Sequence, residues 1–179
     1  MTPKLNRRQA VGTAAVAAGA VAVAAQAPQA EAGVELGRYA HRDGVRGRMT
    51  GAQAAAAAIR CECSPTVFGI PGAQNNELWD AFKAYGVPYF LVAHEFSASV
   101  MADASSRATG RVGVMSVVPG PGLTNALTGL GEALYDGVPI VALITDFDRS
   151  AGAPVGQVHG LANDALLRPV VKAQLGVRH

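Results

Sequence analysis

Four short apolar runs, each closed by glycine, proline or a polar turn and separated by stretches of helical periodicity, constrain this chain more than any other feature. The runs cover residues 66–70, 89–93, 112–118 and 139–145. They are close to continuously apolar instead of alternating, which is the pattern of strands covered on both faces. Between them lie segments with helical spacing. Residues 50–62 are Ala-rich, and Thr50 is placed to cap them. Residues 75–85 carry Leu78, Phe82 and Tyr85 at helical intervals and stop at Gly86. Residues 95–109 put Phe96, Val100, Ala104 and Ala108 on one face and end at Gly110. A further helix follows Pro119-Gly120-Pro121-Gly122 and runs to about Tyr135. Residues 146–160 read as irregular, 164–168 as a short helix and 171–177 as a last strand. Strand alternating with helix predicts an α/β fold: a doubly wound, mainly parallel sheet with helices on both faces, of the flavodoxin-like kind. In such sheets ligands bind at the C-terminal ends of the strands.

The first 32 residues read differently. Lys4, Arg7 and Arg8 form a basic start, residues 10–25 are almost entirely Ala, Val and Gly, and Ala30-Glu31-Ala32 offers a small-x-small cleavage site. That layout predicts an export signal, and the paired Arg7-Arg8 before a weakly apolar stretch resembles a twin-arginine signal. Asn6 and Ala10 depart from the residues usual there. A membrane anchor is disfavoured because sixteen weakly apolar residues fall short of the roughly 20 needed to span a bilayer. Residues 33–48 read as a polar linker and 49–179 as the folded domain, with an exported, extracytoplasmic location expected if the signal is used.

Charge excludes one class of partner. The chain holds 15 Lys and Arg against 13 Asp and Glu; three of the former and one of the latter precede Gly33, so the rest balances at 12 and 12. No basic footprint for nucleic acid or an anionic membrane remains. Cys61 and Cys63 have no second Cys/His pair to complete a zinc site, and their spacing is poor for a disulfide, so no metal ligands are assigned.

Three features fall at predicted strand ends: Gly69-Ile70-Pro71-Gly72, His94-Glu95 and Gly120-Pro121-Gly122. Each has a plain structural explanation. Gly120-x-Gly122-x-x-Asn125 lacks the third small residue of a dinucleotide fingerprint, and Pro121 stiffens it. Glu95 taken alone is a first-turn glutamate favoured by the helix dipole, worth about 0.3–1 kcal/mol. His94 and His159 have no visible metal partners.

Their order says more. Phe68-Gly69-Ile70-Pro71-Gly72 is followed by His94-Glu95-Phe96, by Ala102-Asp103-Ala104 with Arg107-Ala108-Thr109-Gly110, and by Gly120-Pro121-Gly122-Leu123-Thr124-Asn125. Asp136-Gly137-Val138-Pro139 and Ile144-Thr145 complete the series. From Met49 to about Val177 the chain resembles the N-terminal, pyrimidine-binding domain of the thiamine-diphosphate enzymes of the acetolactate synthase, pyruvate oxidase and benzoylformate decarboxylase type. The resemblance implies thiamine diphosphate as cofactor and a small 2-oxo acid as substrate. It makes Glu95 the catalytic carboxylate, hydrogen-bonded to N1′ of the aminopyrimidine and controlling the ring's protonation. It places the backbone of Pro71 and Gly72 beside the pyrimidine, and Gly120, Gly122 and Asn125 beside the cofactor. His159 aligns with a substrate-proximal position.

The chain departs from the acetolactate synthases at Asp146-Phe147, where Gly-Gln is usual, and at Val158-His159-Gly160, where Phe-Gln-Glu is usual, so substrate choice does not carry over. The family holds the diphosphate through Mg2+ on a second domain marked by Gly-Asp-Gly, which this sequence lacks. The expectation is a fragment or subunit completed, in a homo- or hetero-oligomer, by a diphosphate-binding domain. Two other readings stand beside it: a non-catalytic exported binding module on the same fold, and a flavodoxin-like nucleotide-binding domain.

Overall fold

In the computed structural model the described residues are 47–146 and 157–177. The export signal and nearly all of the linker lie outside them, as does Phe147. Thr50 opens the first helix, α1 (Gly51–Glu62): its side chain accepts from the Gln53 amide while the Gln53 side chain accepts from the Thr50 amide, a reciprocal capping box. β1 (Cys63–Gly69), α2 (Asn76–Ala84), β2 (Tyr89–Leu91), α3 (Glu95–Thr109), β3 (Val112–Val117), α4 (Pro121–Tyr135) and β4 (Ile140–Ile144) follow. A 3-10 turn (Val158–Gly160) and α5 (Asn163–Leu167) complete the described part.

The four strands pair in parallel in the order β2-β1-β3-β4. From β1 the chain winds one way through α2 to β2, then crosses to the other side of β1 and winds on through β3 and α4 to β4. Right-handed crossovers in opposite directions put α2 and α4 on opposite faces of the sheet. The two faces bury separate cores. One gathers Ala56, Ile59, Val67, Trp79, Phe82 and Val114; the other gathers Ala98, Ala102, Met115, Val117, Leu123 and Ala126. The α/β, doubly wound parallel architecture expected from the sequence is therefore the one observed. The winding reverses between β1 and β3, so the crevice at their C-terminal ends is where a ligand has room to enter.

Two local expectations fail. α3 does not bury the face bearing Phe96 and Val100, which are 43% and 42% exposed; it buries Ala98, Ser99, Ala102 and Ser106. The reason is close approach. A Cβ on Gly113 of β3 would overlap the carbonyl of Ala102, and one on Gly129 of α4 would overlap the side chain of Ser99. The helix sinks onto its neighbours through its smallest residues, and packing distance overrides apolar periodicity. Residues 171–177 form no strand. Leu175 and Val177 lie more than nine-tenths exposed, with no described ladder to satisfy their backbone, and a strand without a partner is not stable.

Candidate active site

Each of the three strand ends delivers a piece of one site. After β1 the chain turns through Ile70-Pro71-Gly72, and Asn75 holds the turn from beneath. Buried to 1% exposure, Asn75 accepts from the Gly72 amide at 2.7 Å and donates to the Ile70 carbonyl at 3.2 Å. Pro71 lies exposed at the tip. After β2, His94 adopts extended backbone and caps α3, its Nδ1 accepting from the Phe96 amide at 3.2 Å. Glu95 is then the first helical residue, where its charge faces the positive end of the helix dipole.

After β3 comes Val118-Pro119-Gly120-Pro121-Gly122. Gly120 has φ +66° and ψ −112°, a conformation that L side chains rarely adopt. A side chain there would also overlap the backbone of Val158 and His159, which lie against the turn. The Gly120 amide donates at 3.1 Å to Oδ1 of Asn163, itself 3% exposed, and Asn163 Nδ2 donates at 3.3 Å to Asp146. Pro121 occupies the first turn of α4, where its missing N–H costs nothing.

These pieces meet at Glu95. Asn125, one turn into α4, donates to Glu95 Oε2 at 3.0 Å. Glu95 Oε1 lies 3.5 Å from where a Cβ of Gly122 would stand. Glu95 is half-buried; its Oε2 is engaged by Asn125, and its Oε1 stands beside Gly122, whose lack of a side chain lets the carboxylate and Val118 come close. Glu95, Asn125 and Gly122 are thus in direct proximity; Gly72 joins them across Val118, and His159 joins through its backbone over Gly120. A carboxylate held in this way, with Oε1 not engaged by Asn125, can accept a hydrogen bond from a ring N–H or protonated ring nitrogen.

The Gly120 amide is turned inward to Asn163 and is not offered to a ligand. Among the described residues no group of three or more His, Cys, Asp or Glu could hold a metal ion, and no helix is long and apolar enough to cross a membrane. Of the two thiols, Cys61 is exposed and Cys63 buried; burial pushes the Cys63 thiol above its ordinary range, against the pull of the Arg111 cation.

The site contains residues that sequence reasoning did not single out: Asn75, Val118 and Asn163. Asn75 had a signal, an asparagine directly before a helix and three residues after a Pro-Gly turn. Asn163 had none, since its partner Gly120 lies 43 positions away.

Comparison with known proteins identifies relatives of this chain. The chain is 43% identical over 95 residues to the acetolactate synthase isozyme 2 large subunit of Escherichia coli (strain K12), covering 53% of this chain and 17% of that protein. It is 41% identical over 91 residues to the probable 2-ketoarginine decarboxylase AruI of Pseudomonas aeruginosa, covering 51% of this chain and 16% of that protein. With the acetolactate synthase of Bacillus subtilis (strain 168) it shares 39% identity over 113 residues, 63% of this chain and 20% of that protein. The matches thus span about a fifth or less of these relatives' length. The family model described as thiamine pyrophosphate enzyme, N-terminal TPP binding domain, matches residues 49–163, well over half of the chain. On that match, and with a parallel sheet that brings a glutamate and two glycine turns to its switch point, the chain belongs to the thiamine pyrophosphate enzyme family through its N-terminal, TPP-binding domain.

Proposed function

We propose that this domain supplies the aminopyrimidine half of a thiamine-diphosphate site in an enzyme acting on a small 2-oxo acid, with Glu95 as the catalytic carboxylate. When bound, the cofactor supplies the electron sink for decarboxylation or carbon–carbon bond formation. The chain's own residues bind, orient and control a proton. Glu95 Oε1 would accept from the ring nitrogen N1′ and control its protonation; Asn125 fixes the carboxylate's rotation by donating to Oε2. The backbones of Pro71 and Gly72 would lie beside the ring, and Gly122, having no side chain, lets Val118 and Glu95 close in. His159, on the 3-10 turn over Gly120, is the residue proposed nearest the substrate. The observation that carries this reading is the half-buried Glu95 carboxylate, held through Oε2 by Asn125 and with Oε1 beside Gly122.

No residues of this domain are proposed to hold the diphosphate; that role, with its Mg2+, falls to another domain in a homo- or hetero-oligomer. Contacts to the ring alone are a few hydrogen bonds of about 0.5–1.5 kcal/mol each, while association costs about 4–15 kcal/mol. The chain by itself therefore binds weakly. Export through the Arg7-Arg8 signal is part of the same proposal, and is checked by whether Arg7→Lys with Arg8→Lys abolishes processing of the precursor.

The test is ligand-observed NMR on the full chain with thiamine, thiamine diphosphate and the free 4-aminopyrimidine. All three are expected to bind with similar, millimolar-range affinity, because only the shared ring is touched, and Glu95→Ala is expected to abolish each signal. Tight, diphosphate-dependent binding by the chain alone would overturn the need for a completing domain. Binding indifferent to Glu95→Ala would overturn the role of Glu95.

A further inference from the structure

Val118, the first residue beyond β3, stands half-buried between the two glycine turns. A Cβ added to Gly72 would lie 2.5 Å from Val118 Cγ1, and one added to Gly122 would lie 2.8 Å from Val118 Cγ2. Neither glycine has a positive φ. What excludes a side chain at both places is therefore Val118, not backbone torsion. One methyl rests on each turn, and a β-branched side chain has few χ1 wells. Neither methyl can withdraw without the other being displaced. Each of the two turns is pinned separately by its own hydrogen bond, one by Asn75 and the other by Asn163. Val118 is the contact they share.

We propose that Val118 is a positioning residue, a spacer whose two methyl groups fix the separation of the Pro71-Gly72 turn from the Gly122 turn and so the place a planar ring would take beside Glu95. The inference rests on the aminopyrimidine reading above. The spacer acts by shape. Threonine, which keeps the branch and nearly the volume, serves in its place; alanine does not.

A double-mutant cycle tests this on the full chain, read two ways: thermal unfolding followed by the fluorescence of Trp79, the single tryptophan, and NMR titration with free 4-amino-5-hydroxymethyl-2-methylpyrimidine. Val118→Ala and Gly72→Ala are each expected to weaken pyrimidine binding roughly tenfold, the low end of what one methylene is worth in a close-fitting pocket. Val118→Thr is expected to bind within about twofold of the parent. The double variant Gly72→Ala/Val118→Ala, in which the new Cβ fills the place of Cγ1, is expected to recover affinity and melting temperature beyond the sum of the single changes. Additive single changes in melting temperature would overturn the spacer, and that readout needs no ligand. Should the parent bind and Val118→Ala bind equally well, the spacer falls while the cofactor reading stands. Should the parent show no Glu95-dependent binding, the cofactor reading falls and takes this inference with it.

Discussion

The two glycine turns end neighbouring strands and both rest on Val118, but they are held at very different range. Asn75 pins the Pro71-Gly72 turn from three residues away; Asn163 pins the Gly120 turn from 43 residues away. The first turn is complete once β1 has led into α2. The second is complete only after the chain has made α4 and β4 and returned its C-terminal segment to lie over Gly120. Half of the site is thus local structure, and half depends on a remote segment docking. The difference teaches that residues 158–163, which the sequence marked only at His159, belong to the site as much as the glycines do.

Gly120→Ala should break the remote half most severely. The left-handed φ costs about 1–2 kcal/mol, and overlap with the Val158 and His159 backbone about 1–3 more. The expected result is undocking of residues 158–167, seen as raised hydrogen exchange there with α2 unchanged. Asn163→Ala comes next: it leaves the buried Gly120 amide unsatisfied, at about 1–3 kcal/mol, and should loosen the same segment. Asn75→Ala should cost a comparable or smaller amount by chemical denaturation but disturb only the β1–α2 turn, because its contacts are all local. If both asparagine variants raised exchange in the same residues, the local–remote distinction would be wrong.

Gly137→Ala calibrates the scale. This glycine also has a left-handed φ, +70°, but nothing lies within 4 Å of the added Cβ, so it should cost about 1–2 kcal/mol in melting experiments. Smallest are changes at Arg107, which repeats the comparison on the surface. It pairs with Asp103 one helical turn away, at 2.6 Å, and with Asp136 from the end of α4, at 2.5 Å. These hydrogen bonds, Asp103 first, hold the guanidinium above its ordinary range. Exposed pairs contribute little, so Asp103→Asn and Asp136→Asn should each lower the melting temperature slightly, and less so at high salt.

Much of the local half was legible from the sequence. Thr50 as a cap, the end of α2 at Gly86, the bounds of α3 and the apolar strands all follow from short-range chemistry. What escaped was set by tertiary distance. The buried face of α3 is Ala98, Ser99 and Ala102 because Gly113 and Gly129 draw it close, and no periodicity within the helix announces that. Asp146 read only as a departure from the family; in the structure it accepts from Asn163, and so becomes part of what steadies the turn. Glu95 on its own read as helix-end decoration. Its meaning came from the order of surrounding motifs, and its geometry from Asn125 and Gly122 on another element. Residues 171–177 looked like a strand because apolarity is visible in a sequence and the absence of a neighbour is not.

Asn163 leaves a trace that could be sought in the natural variation of related chains. One small amide joins position 120 to position 146, accepting from the first and donating to the second, so none of the three is free to drift alone. Aspartate at 163 would set two like charges against each other, and any side chain at 120 would evict the loop above it. Relatives should therefore keep or exchange the residues at 120, 146 and 163 as a set, while positions 72 and 75, joined by a local hydrogen bond, vary on their own schedule.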